Sequence, residues 1–226
     1  NVSIETNGAM LLGSEIGAAL AALEPLGIDV LGLNCSTGPA EMSEHLRHLS
    51  RYARIGVGCM PNAGLPELTS EGARYPLGPE GFTQALSGYV SEFGLAVVGG
   101  CCGTTPEHIR QLAQAVRGRE VPARDVPITG SGGATVSSLY SETPLRQDTS
   151  YLSIAERTNA NGSKAFREAM LAQDWEACLD IAKAQSREGA HLLDLCVDYV
   201  GRDGVADMHE LASRINTAVT LPVRSE

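Results

Sequence analysis

Short apolar runs alternate with helical patterns through the first 117 residues, and this alternation limits the possible folds more than any other feature of the sequence. After Pro39, for example, Met42, Leu46 and Leu49 recur on one face of a predicted helix. Repeated strand–helix units build parallel strands joined by right-handed crossovers. The predicted strands are residues 2–5, 28–33, 54–60 and 95–98, and predicted helices include residues 14–24 and 79–93 and a helix that begins at Thr105-Pro106.

Four strand–helix units are half of a (β/α)8 barrel, which needs eight units and roughly 250 residues. A doubly wound open sheet has the same alternation, but no predicted strand here is followed by the G-x-G-x-x-G turn that binds phosphate in that fold. The sequence therefore predicts an α/β fold of the (β/α)8 TIM-barrel type, with half of one barrel in residues 1–117.

The alternation stops in residues 118–150, which contain Gly130-Ser131-Gly132-Gly133 and several proline and serine residues. This composition predicts an interdomain linker. Alternation resumes at Tyr151, so residues 151–226 are predicted to start a second barrel. Its predicted strands are residues 152–155, 192–197 and one that begins at Leu221, and its predicted helices are residues 163–171, 174–188 and 205–217.

Composition and charge exclude several classes of protein. The chain has 27 acidic and 17 basic side chains and a net charge of −10 at pH 7, whereas a nucleic-acid partner requires clustered Lys and Arg. No stretch approaches the roughly 20 apolar residues of a membrane span, and the first residues lack the pattern of a signal peptide. We predict a cytoplasmic protein without nucleic-acid or membrane partners. Because both ends read as strands, we also expect a fragment.

Three of the six cysteines follow predicted strands: Cys35 after the second, and Cys101 and Cys102 after the fourth. Functional residues of (β/α)8 barrels lie at the carboxyl ends of strands. Three thiolates there could bind Zn²⁺ and leave a fourth position open for a substrate, as in catalytic zinc sites. The alternative is that these cysteines are small buried apolar residues. The remaining cysteines lack such surroundings and are predicted to lie in the core or to be incidental: Cys59, Cys178 and Cys196.

Other polar residues at strand ends are weaker candidates, because many simply cap the following helix. Asn62 lies in a turn, where asparagine is usually structural. The histidines do not have the spacing of a metal-binding pair. Those that fall on helices are predicted to be solvated: His45, His48, His108 and His209.

Three segments together resemble the homocysteine S-methyltransferase family. They are Gly32-Leu33-Asn34-Cys35, Met60-Pro61-Asn62-Ala63-Gly64 and the run from Val98 to Ile109 that includes Gly-Gly-Cys-Cys-Gly-Thr-Thr-Pro. The resemblance implies that residues 1–117 are the C-terminal half of that family's barrel. It further implies that Cys35, Cys101 and Cys102 bind zinc, that the sulfur of homocysteine takes the open position, and that Asn62 helps to hold homocysteine.

The segment from Glu156 to Ser163 resembles the start of a pterin-binding barrel, in which a Glu-Arg-x-Asn motif contacts methyltetrahydrofolate. A homocysteine barrel joined to a folate barrel is the arrangement of the cobalamin-dependent methionine synthases. This resemblance implies pterin contacts from Glu156, Asn159 and Asp194. It also implies methylcobalamin as the immediate methyl donor, 5-methyltetrahydrofolate as the methyl source, and further modules that complete the enzyme, without which this piece is inactive.

The sequence departs from the family pattern in two places: Cys196 stands where an asparagine usually follows Asp194 by two residues, and the strand at Leu221 lacks the usual apolar-Asp-Ser stretch. Two other interpretations remain open at this point. The first is a homocysteine methyltransferase that uses another methyl donor, and the second is a noncatalytic α/β module in which the cysteines pack or bind structural zinc.

Overall fold

The structure is a computed structural model, and it describes residues 1–70, 72–126 and 134–225. The chain divides into two compact units, Asn1–Gly132 and Gly133–Glu226. This division falls inside the segment predicted as a linker, while the predicted limits at residues 117 and 151 remain predictions. Each unit is described separately.

The first unit follows the predicted alternation closely. Its helices are α1 (Ile16–Leu23), α2 (Pro39–Tyr52), α3 (Pro79–Phe93) and α4 (Pro106–Val116), with a short 3-10 helix at Glu24–Leu26. Its strands are β1 (Val30–Asn34), β2 (Gly56–Met60), β3 (Glu67–Thr69), β4 (Gly72–Arg74) and β5 (Val97–Val98).

The strands β1, β2 and β5 form a parallel sheet in the order β1-β2-β5, with Leu33 opposite Cys59 and Cys59 opposite Val98. Successive strands are joined through helices, as the sequence predicts. Strands β3 and β4 form an antiparallel hairpin after β2, in a region that was not predicted to contain strands.

The first predicted strand, at residues 2–5, is shorter than expected. Val2 makes a single parallel bridge to Leu33. The chain then turns, since the N–H of Glu5 donates to the carbonyl of Ala9. This turn removes the residues that would have continued the ladder.

The helices of the first unit cover one face of this sheet. Met42, Leu46 and Leu49 of α2 are buried, as their spacing predicts, and Phe82 and Leu86 of α3 are fully buried. These side chains pack with residues of alternate sheet positions, such as Leu33 and Cys59. The packing fixes the helices on one side of the sheet, and the parallel pairing of the strands places their carboxyl ends at a common edge.

Part of the segment predicted as a linker packs onto the first unit. The guanidinium of Arg124 donates to the carbonyls of Leu49 (3.3 Å) in the last turn of α2, and of Ala53 (2.9 Å) and Ile55, which follow the helix. The C-terminal end of a helix carries negative partial charge, so a cation there is stabilising. Arg124 therefore anchors the chain beyond α4.

The strands of the second unit are β6 (Thr135–Ser137), β7 (Glu142–Pro144), β8 (Ile154–Asn159), β9 (Leu192–Cys196) and β10 (Val223–Ser225), and its helices are α5 (Lys164–Leu171), α6 (Trp175–Arg187) and α7 (Gly204–Ala218). The unit has its own parallel sheet in the order β10-β9-β8, and a separate antiparallel hairpin, β6-β7, lies within the segment predicted as a linker. Phe166, Leu193, Leu211 and Ile215 are fully buried in its core.

Both units thus have an α/β fold with a parallel sheet, which is consistent with partial domains of the TIM-barrel type. Among the described residues, no helix is both long and apolar enough to cross a membrane.

We expect Arg124→Ala to lower the free energy of unfolding of the chain by about 1.5–3 kcal/mol, because hydrogen bonds from a charged donor to three carbonyls are lost. Urea unfolding followed by circular dichroism measures this change. Arg119→Ala is the matched control, since Arg119 is exposed and makes one long contact of 3.5 Å to the carbonyl of Ser87. Equal stability of the two variants would contradict the anchoring role.

Candidate metal centre

Three thiols meet at the carboxyl edge of the first sheet. The Sγ atoms of Cys35 and Cys102 lie 3.7 Å apart, those of Cys101 and Cys102 lie 3.9 Å apart, and all three lie within 4.8 Å of one another. Cys35 and Cys101 are partly buried and Cys102 is exposed. The three residues predicted from strand-end position therefore form one cluster that is open to solvent on one side.

Cys35 reaches the cluster through an unusual backbone conformation directly after β1. Cys35 and Ser36 both have positive φ, 60° and 57°, in the left-handed region that non-glycine residues rarely adopt. The N–H of Cys35 donates to the carbonyl of Met60, and that of Thr37 donates to the carbonyl of Cys35. These hydrogen bonds hold a conformation that costs of order 1–3 kcal/mol per residue.

Cys101 and Cys102 are held by the loop that follows β2. The N–H of Cys101 donates to the carbonyl of Pro61 (2.9 Å), and the carbonyl of Cys102 accepts from the N–H of Ala63 (2.9 Å). Gly103 has a φ of 77°, and a side chain at this position would overlap the ring of Tyr75, which lies against its backbone. A glycine is therefore required where the loop turns after the two thiols.

Asn62 contacts both thiol-bearing loops, one through its side chain and the other through its backbone. Its carboxamide oxygen accepts from the N–H of Cys102 (3.1 Å), and its own N–H donates to the carbonyl of Thr37 (3.0 Å). Asn62 is buried. The observed contacts of this residue are thus to the backbone beside the thiols.

The thiols differ in their electrostatic surroundings. The backbone N–H of Ser36 lowers the pKa of the Cys35 thiol by more than burial raises it, and the two neighbouring thiols lower it further. Burial, followed by hydrogen bonding within the cluster, raises the pKa of the Cys101 thiol. The cluster therefore favours the thiolate at Cys35 over the thiolate at Cys101.

The spacing of the thiols fits a tetrahedral zinc ion. With a Zn–S distance of about 2.3 Å, the sulfurs of a tetrahedral site lie about 3.8 Å apart. The observed separations of 3.7 and 3.9 Å match this value. Soft thiolate ligands select zinc over hard cations, and three of them leave one coordination position for another ligand.

The other cysteines are buried, in agreement with the prediction that they are core or incidental residues: Cys59, Cys178 and Cys196. Burial raises the pKa of Cys59 to about 12 and that of Cys178 to about 11. Thiols with such values are protonated at neutral pH and are unreactive.

In the second unit, two of the three predicted pterin contacts lie together. The amide nitrogen of Asn159 donates to Oδ2 of Asp194 (3.0 Å) at adjacent strands. The other carboxylate oxygen, Oδ1, is buried and accepts no hydrogen bond from the described residues, with Nη1 of Arg224 3.9 Å away. A buried acceptor without a hydrogen bond is costly and marks a position where a ligand donor would be favourable.

Glu156 is not joined to this pair by a hydrogen bond in the described part of the chain. It is exposed, in an irregular stretch of β8 where the pairing with β9 shifts between Ala155 and Thr158. Cys196, which departs from the family pattern, receives the amide of Asn161 at 3.7 Å, and this amide also donates to the carbonyl of Asp198 (3.2 Å).

The prediction that His108 is solvated is wrong. His108 is buried, with 5% of its surface exposed, and both ring nitrogens make hydrogen bonds. Helical periodicity alone places it on the outer face of α4, but this face is covered by Leu77 and Phe82 from the preceding loop and helix. The sequence does contain one indication that His108 has a structural role, since it lies three residues after the N-cap Thr105, where a side chain can complete a capping box.

Comparison with known proteins gives a consistent result for both units. Residues 1–116 match the family profile described as homocysteine S-methyltransferase, and residues 155–223 match the profile described as pterin binding enzyme. The chain is 66% identical over 223 residues to a protein named methionine synthase from Mycobacterium tuberculosis (strain ATCC 25618 / H37Rv), and 63% identical over 226 residues to one from Mycobacterium leprae (strain TN).

These alignments cover 99% of this chain but 18% and 19% of the two relatives, so the chain spans about a fifth of the length of the curated relatives it matches. The first family profile covers 116 of the 226 residues, which is more than half of the chain. The chain belongs to the homocysteine S-methyltransferase family.

Proposed function

We propose that this chain takes part in methyl transfer to homocysteine to form methionine, as part of a cobalamin-dependent methionine synthase. The observation that carries the proposal is the cluster of Cys35, Cys101 and Cys102, whose sulfurs have the spacing of a tetrahedral zinc site and are open on one side. A structural zinc site would be closed by a fourth protein ligand. The open side fits a substrate that itself carries a thiol.

In this proposal the three cysteines hold zinc, and the sulfur of homocysteine occupies the remaining position. When bound, zinc acts as a Lewis acid that lowers the pKa of a coordinating thiol, so that the thiol is deprotonated near neutral pH. In the net reaction the bond between the methyl group and nitrogen in 5-methyltetrahydrofolate breaks, a sulfur–carbon bond to that methyl group forms, and the nitrogen of the resulting tetrahydrofolate takes up a proton in place of the one that the thiol loses.

The chain itself contributes rigid placement of the ligands. Backbone hydrogen bonds from Cys35 to Met60 and from Cys101 to Pro61 fix both thiol-bearing loops to the loop after β2. Asn62 lies between them and is proposed to help hold the amino-acid end of homocysteine, in addition to its contact with Cys102. A site whose ligands are fixed in advance loses little free energy to reorganisation.

The second unit is proposed to bind the pterin ring of 5-methyltetrahydrofolate through Asn159 and Asp194, with Glu156 from the same motif. The match to pterin-binding enzymes and the buried Oδ1 of Asp194, which accepts no hydrogen bond from the described residues, support this assignment. Methylcobalamin, carried by a module outside this chain, is the proposed immediate methyl donor, and 5-methyltetrahydrofolate is its methyl source. We further propose a cytoplasmic location for the assembled enzyme.

The alternative in which homocysteine receives its methyl group from another donor leaves the second unit without a role. The pterin-binding match over residues 155–223 favours the folate-dependent reaction. If the chain were a noncatalytic module with structural zinc, Cys102 would not need to be exposed to solvent, as it is here.

We expect the coordination of the bound metal to gain one sulfur when homocysteine is added, because the substrate thiol fills the open position. X-ray absorption spectroscopy of the zinc-loaded chain measures the change from three to four sulfur ligands. Methionine is the control ligand, since its thioether cannot form a thiolate. An unchanged ligand shell in the presence of homocysteine would contradict the proposed substrate position.

We expect Asp194→Asn to weaken binding of 5-methyltetrahydrofolate by about 10- to 100-fold, because a charged acceptor to the pterin is lost. Calorimetric titration measures the dissociation constant. Asp180→Asn is the matched control, because Asp180 is exposed on α6. If both variants bound folate like the unmodified chain, the assignment of Asp194 would be wrong.

A further inference from the structure

His108 makes hydrogen bonds through both ring nitrogens, and their partners define its tautomer. Nε2 lies 3.0 Å from the carbonyl oxygen of Leu77, which can only accept, so Nε2 carries the proton. Nδ1 lies 3.2 Å from the backbone nitrogen of Thr105, which can only donate, so Nδ1 is unprotonated. The hydroxyl of Thr105, 2.9 Å from Nδ1, then donates as well. The neutral ring with a proton on Nε2 satisfies all three contacts.

These contacts join two separate loops of the candidate metal centre. On one side, Thr105 follows Thr104, whose N–H and hydroxyl both donate to the carbonyl of Cys101. On the other side, Leu77 receives the proton of His108 at its carbonyl and donates its own N–H to the carbonyl of Ala63 (2.9 Å).

The path continues to the thiols without a gap. The N–H of Ala63 donates to the carbonyl of Cys102 (2.9 Å). His108, Leu77, Ala63 and Cys102 are thus connected through consecutive hydrogen bonds, and Thr105 closes the path on the side of α4. The path is shielded at its His108 end, because His108 is buried and its ring packs edge-on against Phe82 at 5.5 Å.

A helix cap alone does not require this arrangement. A Glu side chain at the third helical position accepts from the N-cap N–H and completes the same capping box. The second nitrogen of His108 adds something a Glu cannot supply at neutral pH, namely a donor to the carbonyl of Leu77.

We propose that His108 is a positioning residue of the metal centre, which fixes the loop carrying Cys101 and Cys102 to the loop carrying Asn62 and Ala63. This inference rests on the proposed role of the thiols as zinc ligands. Partners beyond the ligand shell commonly change metal affinity 10- to 100-fold when removed, because they orient the ligands. His108 acts at a greater distance, through backbone groups, so we expect an effect near the lower end of this range.

Two variants of the 226-residue chain, His108→Gln and His108→Glu, distinguish a helix-capping role of this residue from a positioning role, because the two new side chains are nearly the same in size and shape. The side chain of His108→Gln keeps an acceptor for Thr105 and a donor for Leu77, whereas His108→Glu keeps the acceptor alone. We expect His108→Glu to raise the zinc dissociation constant about tenfold, measured by competition with a chelating dye, and His108→Gln to stay within about threefold. Leu49→Ala, a core truncation in α2, controls for general loss of stability.

A second readout does not depend on metal. In the zinc-free chain, hydrogen exchange at the amides of Ala63 and Cys102 should accelerate in His108→Glu relative to both His108→Gln and Leu49→Ala. Equal exchange and equal zinc affinity in the two His108 variants would overturn the inference and leave His108 as a cap. If the unmodified chain bound no zinc, the proposed function would fail, while the exchange rates would still decide whether His108 holds the loop.

Discussion

The candidate metal centre depends on the hydrogen bonds that join three loops at the carboxyl edge of the first sheet. The loops follow β1, β2 and β5, which are adjacent in the sheet. At the end of β2 and in the loop after it, the carbonyls of Met60 and Pro61 accept from the N–H groups of Cys35 and Cys101. The N–H of Ala63 in the same loop donates to the carbonyl of Cys102. Without these hydrogen bonds, Cys35 and Cys101, which are 66 positions apart in the chain, would not be held at a fixed distance. The three sulfurs could then not keep the spacing that is needed to coordinate one ion.

The same constraint explains the residues that surround the thiols. Gly103 lies against the ring of Tyr75, so a side chain at this position, where the loop turns after the two thiols, is excluded. Positive φ at Cys35 and Ser36 is tolerated because the surrounding hydrogen bonds hold it. In the second unit, the parallel pairing of the adjacent strands β8 and β9 likewise brings the side chains of Asn159 and Asp194 within hydrogen-bonding distance.

Much of this could be predicted from the sequence, and the exceptions have physical causes. The period of Met42, Leu46 and Leu49 identified α2, and strand-end position identified the three thiols, because both depend on local patterns. The burial of His108 and the anchoring by Arg124 depend on contacts with Leu77 and with the end of α2. Such contacts join distant parts of the chain and leave no periodic signal. Residues 130–133, predicted as part of a linker, lie outside the described residues.

The most direct test of this account is the zinc content of the chain after metal loading and removal of excess metal. We expect about one zinc per chain, as for a single three-thiolate site, with the same content in Cys178→Ala, whose thiol is buried in the second unit. We expect Cys102→Ser to lose that zinc. A folded chain without zinc, or undiminished zinc in Cys102→Ser, would contradict the assignment of the three thiols as one metal site.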